Sequence, residues 1–224
     1  MIHSSLLSQV PNLSHGFTTL GTPGFDTLNA RTATVKQVHG KSVEWTESLR
    51  KAFAEADALG TFHRNLPVGV FTADCTPILM AALDRNGSAF AVIAVHAGWK
   101  GAAQEIARIA LRQLAETAGV RLHEVVAALG PAISQQRFEV GQDVVDAFPG
   151  CLARGMALPH ENGKFWFDLQ GENRRQLETA AQELEVALRC DVSPHCTWSE
   201  PTLFPSWRRD RERASRMLSW LAFT

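Results

Sequence analysis

Two apolar runs joined by a tight turn limit what this chain can fold into more than any other feature. Ala89 to Val95 (AFAVIAV) carries no polar side chain, so a strand here is buried on both faces. Pro77 to Leu83 (PILMAAL) is as apolar, and periodicity alone reads it as strand or helix. Between them, Asp84-Arg85-Asn86-Gly87 is a strong turn signal and sets a hairpin. A sheet built on that hairpin needs helices to cover it.

The rest of the chain supplies them. Ala102 to Ala118 places Ile106, Ile109, Ala110, Leu114 and Ala118 on one helical face, stopped by Gly119. Glu172 to Arg189 reads as a long helix, Val140 to Phe148 as a short one, and Arg211 to Phe223 as a helical tail. Leu66 to Thr72, Val125 to Leu129 and Phe165 to Leu169 read as strands. Thr32 to Glu44 reads as two short strands around a turn at His39-Gly40. Strands and helices alternate irregularly, which predicts an α/β chain of α+β type, a mixed β-sheet flanked by helices. With no repeat and no linker, residues 1–224 read as a single domain.

Composition narrows the function classes. The 224 residues are 45% hydrophobic and 20% charged, and a chain of this size buries roughly 70% of its unfolded surface. Disulfide staples are unnecessary, and four widely spread cysteines (Cys75, Cys151, Cys190, Cys196) predict free thiols in a cytoplasmic protein. The start has no basic segment followed by an apolar one, and no apolar run is long enough for a membrane span. Lys plus Arg at 22 against Asp plus Glu at 23 argues against a nucleic-acid partner.

Motifs for dinucleotides, Walker phosphate loops, HExxH zinc sites and GxSxG nucleophiles are absent. What remains is His39 at a turn, and Cys75 and His96 each just after a buried strand. Strand ends beside Gly or Pro hold side chains rigidly over a cleft. Two imidazoles and a thiolate make a three-ligand zinc set that leaves one position for water. A metal-free Cys75–His96 dyad accounts for two of the three equally well. Taken singly, each is ordinarily a structural histidine or a buried small thiol.

Four strings, in order, resemble the YfiH-type family, which has been called laccase-like polyphenol oxidase, peptidoglycan editing factor and purine nucleoside phosphorylase. They are Lys36-Gln37-Val38-His39-Gly40, Thr72-Ala73-Asp74-Cys75-Thr76-Pro77, Val95-His96-Ala97-Gly98-Trp99-Lys100-Gly101 and Gly130-Pro131-Ala132-Ile133. Phe138-Glu139-Val140-Gly141, Cys196-Thr197 and Ser206-Trp207-Arg208-Arg209-Asp210 extend the match, and His15-Gly16-Phe17-Thr18-Thr19 looks like the family's opening motif. The resemblance implies that His39, Cys75 and His96 are the metal ligands, with zinc as the usual metal and copper the alternative. It implies phosphorolysis of adenosine, inosine, guanosine and methylthioadenosine, and deamination of adenosine, so the partners are a purine nucleoside and phosphate. Within it, Cys75, His96, Asp74 (as the acid) and Arg208 are the catalytic candidates. Lys100, Trp99 and Arg209 are the substrate-binding candidates.

The chain departs from the family pattern at Leu20, where an Arg is usual, and at Trp207, where Tyr is common. The same three ligands also suit an amidohydrolase that edits a peptidoglycan precursor. A phenol-oxidising copper enzyme generally needs several coppers and many His ligands, and the eight histidines here form no close ligand pairs outside the triad. A metal-stabilised binding module would need a fourth ligand, for which His195-Cys196 is the spare pair.

Overall fold

The computed structural model describes residues 1–224. The hairpin is its centre. β1 (Leu13–Phe17), α1 (Phe25–Arg31), β2 (Val43–Trp45), β3 (Ala58–Thr61) and β4 (Val68–Thr72) lead into the hairpin strands β5 (Thr76–Leu83) and β6 (Ala89–Ala97). There follow α2 (Trp99–Ala103), α3 (Ile106–Ala118), β7 (Glu124–Leu129), β8 (Glu139–Val140), α4 (Gln142–Asp146), β9 (Ala157–Pro159) and β10 (Phe165–Phe167). The chain ends with α5 (Leu169–Glu183), β11 (Ala187–Val192), α6 (Trp207–Asp210) and β12 (Met217–Phe223).

The six-stranded sheet has the order β11-β7-β5-β6-β3-β2. Its inner pairs are antiparallel, and its outer pairs, β2 with β3 and β7 with β11, are parallel. Every residue of β5 and β6 is buried. Alternation along β5 sends Ile78 and Met80 to one side, against Ile106, Leu111 and Leu114 of α3 and Leu177 of α5. Leu79 and Ala81 go to the other, against Val68, Val70, Leu221 and Phe223 of the three-stranded sheet β1-β12-β4. The layers are therefore helices, mixed sheet, small sheet. Burying each large aliphatic side chain contributes about 1.5–3 kcal/mol. A third small sheet, β8-β10-β9, packs with α4 around Phe148 and Phe167 beside α2.

The expected fold class holds: a mixed sheet flanked by helices. Five local expectations need correction. The tail is not a helix: residues 211–213 form one 3-10 turn and β12 fills the middle of the small sheet. It is apolar on successive residues because both its faces are covered, and helix and strand look alike in such a run. The Glu172–Arg189 helix starts earlier, at Leu169, where the Asp168 carboxylate caps the Gly171 N–H. It stops at Glu183, and the last residues become β11, parallel to β7. The Ala102–Ala118 helix is two, broken at Glu105, whose φ is 62°. Val140–Phe148 begins as strand β8 before α4 turns. In Thr32–Glu44 only β2 is a strand; Ala33 and Lys36, both before the His39 turn, make isolated bridges to Val68 and Glu55.

Candidate functional site

His39, Cys75 and His96 come together. One ligand atom from each lies within 4.8 Å of the others. The His39 and His96 rings meet edge to face, 4.8 Å between centroids.

Asp57, just before β3, arranges two of the three. It is fully buried. The N–H groups of Val38, His39 and Gly40 donate to its carboxylate at 3.2, 2.9 and 2.6 Å. Those bonds hold His39 in the left-handed region at φ 60°. Its Oδ1 also lies 2.7 Å from His96 Nδ1. An ionised carboxylate only accepts, so Nδ1 carries a proton, and Nε2 is the nitrogen that would serve a ligand on losing its own. His96 and Asp57 are also joined by backbone: the His96 N–H donates to the Asp57 carbonyl at 2.7 Å.

Cys75 starts at the edge of β5, opposite the end of β6 in the same hairpin. Burial pushes its thiol up, but the charge of His96 and hydrogen bonds from His39 and His96 outweigh this and leave it well below the usual thiol range. For His96, burial opposes the charge, and Cys75 and Asp57 overcome it, so the imidazole sits above its ordinary value. Asp57 is held below the carboxylate range despite its burial, chiefly by its bond to His96. Gly98 completes the pocket by what it lacks. A Cβ there would stand 2.9 Å from Cys75 Sγ and 3.1 Å from His39 Cδ2.

The three side chains open into a cleft of about 570 Å³. Phe71, Trp99, Phe138 and Trp207 give it aromatic walls, and Lys100, Arg208, Arg211 and Arg216 give it cations. Arg208 lies over the Phe138 ring at 5.4 Å and Lys100 near the Trp99 ring at 5.7 Å. Trp99 also packs on the Phe148–Phe167 cluster, so it is wall and core at once.

Two expected site residues are otherwise occupied. Asp74, at φ 82°, accepts hydrogen bonds from Thr197 Oγ1 at 2.6 Å, Ser206 Oγ at 3.0 Å and the Arg208 N–H at 2.6 Å. Its carboxylate ties the segment that carries Arg208 to the segment that carries Cys75. Arg209 does not line the cleft. Its guanidinium grips Asp210 and donates to the carbonyls of Thr197, Trp198 and Phe204. Sequence reasoning missed Asp57, Phe138, Arg211 and Arg216. The density of arginines between Arg208 and Arg216 was a visible signal for the last two. Nothing in the composition around Asp57 marks it.

Comparison with known proteins is consistent with these features. A family profile described as multi-copper polyphenol oxidoreductase laccase matches residues 23–224. A purine nucleoside phosphorylase of Deinococcus radiodurans is 34% identical over 186 residues, covering 83% of this chain and 67% of that protein. The purine nucleoside phosphorylase YfiH of Shigella flexneri is 31% identical, over 87% of this chain and 74% of its own length. An adenosine deaminase, RL5, from an unknown prokaryotic organism is 35% identical over 70% of this chain and 58% of its own. Among solved structures, YlmD from Geobacillus stearothermophilus superposes with a TM-score of 0.77 at 25% identity, covering 98% of this chain and 94% of that one. A Bacillus licheniformis hypothetical protein, YfiH, gives 0.78 at 24% identity, over 95% and 93%, and so speaks for the fold. No helix is long and apolar enough to cross a membrane.

Proposed function

The chain belongs to the multi-copper polyphenol oxidoreductase laccase family, the YfiH-type family, and from that membership we propose that it is a zinc-dependent purine nucleoside enzyme acting by phosphorolysis and by deamination of adenosine. One observation carries the reading: two imidazoles and a depressed thiol converge at the base of a cleft walled by aromatic rings and cations.

The donor set fits zinc. Its atoms lie within 4.8 Å of one another, near the roughly 4.6 Å that two zinc–ligand bonds of about 2.3 Å span, and three His or Cys ligands with a fourth position open is the pattern of catalytic zinc. His39, Cys75 and His96 would hold the ion, which when bound supplies a Lewis acid and a water acidified to near neutrality. Copper is the alternative for the same donors. The chain gathers one such three-donor group, which favours the nucleoside reading over a phenol oxidase cycle of several coppers.

The chain's own residues do the rest. Asp57 keeps the His96 proton on Nδ1 and thereby aims Nε2 at the site. Trp99 and Phe138 offer faces on which a purine stacks. Lys100 and Arg208 offer donors for phosphate beside the ribose. Asp74, with both oxygens engaged, positions Arg208 in this reading instead of delivering a proton. Arg209 fixes the same loop from behind.

The test is product analysis of zinc-loaded protein with adenosine, with and without phosphate. Phosphate-dependent adenine is the expected mark of phosphorolysis, and phosphate-independent inosine that of deamination, both lost in Cys75→Ala. No turnover above a heat-killed control would overturn the reading and turn attention to hydrolysis of a peptidoglycan precursor.

A further inference from the structure

The two edges of the six-stranded sheet are finished differently. At one edge β2 is three residues long and offers little backbone to a further strand. At the other, β11 runs for six residues, Ala187 to Val192, with no Pro, no Lys and no bulge. Proteins usually blunt an edge of this length.

The outward pattern of β11 follows from its pairing. In a parallel pair, alternate residues turn their N–H and C=O to the neighbouring strand. The Ser193 N–H donates to the Leu129 carbonyl at 2.8 Å, so Ser193, Asp191 and Arg189 face β7. Leu188, Cys190 and Val192 then present their backbone groups outward. β7 is the one strand paired with β11, and no loop backbone bonds to its outer edge.

The side chains alternate as well. Leu188, Cys190 and Val192 pack onto the core under the helices and stay half-exposed. Arg189 and Asp191 lie on the opposite face. Each is engaged on one side and free on the other. Arg189 Nε and Nη2 hold Glu124 at 2.7 and 2.8 Å, which leaves Nη1. Asp191 Oδ2 accepts from Ser4 Oγ at 2.9 Å, which leaves Oδ1.

This pattern limits how a second copy pairs here. An antiparallel partner must set outward residues opposite outward residues, so a two-fold axis passes through a residue of the strand. An axis at Arg189 sets two guanidinium groups face to face, and an axis at Asp191 sets two carboxylates so. An axis at Cys190 sets Arg189 opposite Asp191 of the second copy twice, and Leu188 opposite Val192 twice. Both charge pairs then fall at non-hydrogen-bonded positions, where facing side chains stand closest.

We propose that β11 is a self-association edge: two copies pair antiparallel through β11 about a two-fold axis at Cys190, joining their sheets into one continuous sheet. Backbone hydrogen bonds supply the attachment, and the crossed Arg189–Asp191 pairs select the register.

Sedimentation of the full-length protein from about 1 to 200 µM tests this. The wild type should show a reversible monomer–dimer equilibrium. Asp191→Arg sets like charges at both crossed positions and should weaken the dimer about tenfold. Adding Arg189→Asp restores opposite charges with the signs exchanged and should recover most of the loss. Such recovery belongs to this register alone, since no other sets residue 189 opposite residue 191. A short bismaleimide should join the wild-type dimer, and Cys190→Ser should remove the cross-link while leaving the dimer. The cross-link requires no charge variant to fold. Wild type that stays monomeric to about 200 µM would overturn the proposal. So would a dimer that cross-links equally well without Cys190, or one that a folded Asp191→Arg variant forms as tightly as wild type.

Discussion

The floor of the cleft and its mouth are built on opposite plans. On the floor, nearly every functional side chain has a second partner. Asp57 holds the His39 turn and the His96 ring, and Asp74 joins the Cys75 segment to the Arg208 segment. At the mouth, Lys100, Arg211 and Arg216 have no carboxylate partner at all. Fixed donors suit a step whose geometry must not vary, because a small misplacement of reacting groups is expensive in rate. Free cations suit attraction and selection of an anion, since long-range attraction does not need fixed geometry.

The sharpest way to break this contrast is at Asp57. Asp57→Ala removes four acceptor contacts and leaves three N–H groups and a buried imidazole unpaired. The expected loss is about 3–5 kcal/mol in a urea unfolding experiment, with zinc binding lost as well. A variant as stable as wild type would mean that the floor is not organised from Asp57. Gly98→Ala is more selective. The backbone there (φ −73°, ψ 166°) accepts any residue, so the effect is steric: a methyl against Cys75 Sγ and His39 Cδ2. Zinc affinity should fall on the order of 10–100-fold while circular dichroism stays unchanged.

Acid provides a control outside both regions. His15 is buried at 4% exposure, and its Nε2 accepts the Ser4 N–H at 2.9 Å. Burial, with His3 close by, lowers its pKa from 6.5 to about 4. The unfolded chain therefore binds the proton first. Stability is complete above about pH 6.5 and falls as the pH drops toward 4, by up to about 3 kcal/mol. His15→Gln should flatten that limb of a stability-against-pH curve and leave turnover alone. If the limb survives the substitution, the acid sensitivity lies elsewhere. The smallest effect is expected at the mouth. Lys100→Ala should raise KM for phosphate a few-fold, more at low salt than at high, with no change in melting temperature. A collapse of kcat would move Lys100 to the floor.

The sequence makes these two regions legible to different degrees. The hairpin was readable because Asp84–Gly87 is a turn by chemistry and its flanking runs are too apolar for any exposed face. The three candidate ligands came from the motif resemblance, and their donor atoms converge in the structure. The tail was misread because β12 lies between β1 and β4 with both faces covered, which erases the alternation that distinguishes a strand. Asp57 was invisible for another reason. Its importance comes from reaching the 38–40 turn and residue 96 at once, a relation that exists only after β3 pairs with β6. Arg208 and Arg209 stand side by side in one motif, yet the chain splits them. One faces the cleft, and the other holds carbonyls of its own loop. Residue type cannot tell such neighbours apart.

The Asp57 anchor also sets an order of events. His39 is tied to Asp57, Asp57 to His96, and Cys75 enters through the register of β5 on β6. The donors converge only when β3, β5 and β6 are already in place, so an arriving ion finds a finished sheet and has no unfolded chain to organise. In small zinc domains the ion is the keystone, and chelators unfold them. On the proposed zinc reading it would be a late passenger: dialysis against a chelator should abolish turnover while the far-ultraviolet spectrum and the cooperative melt survive.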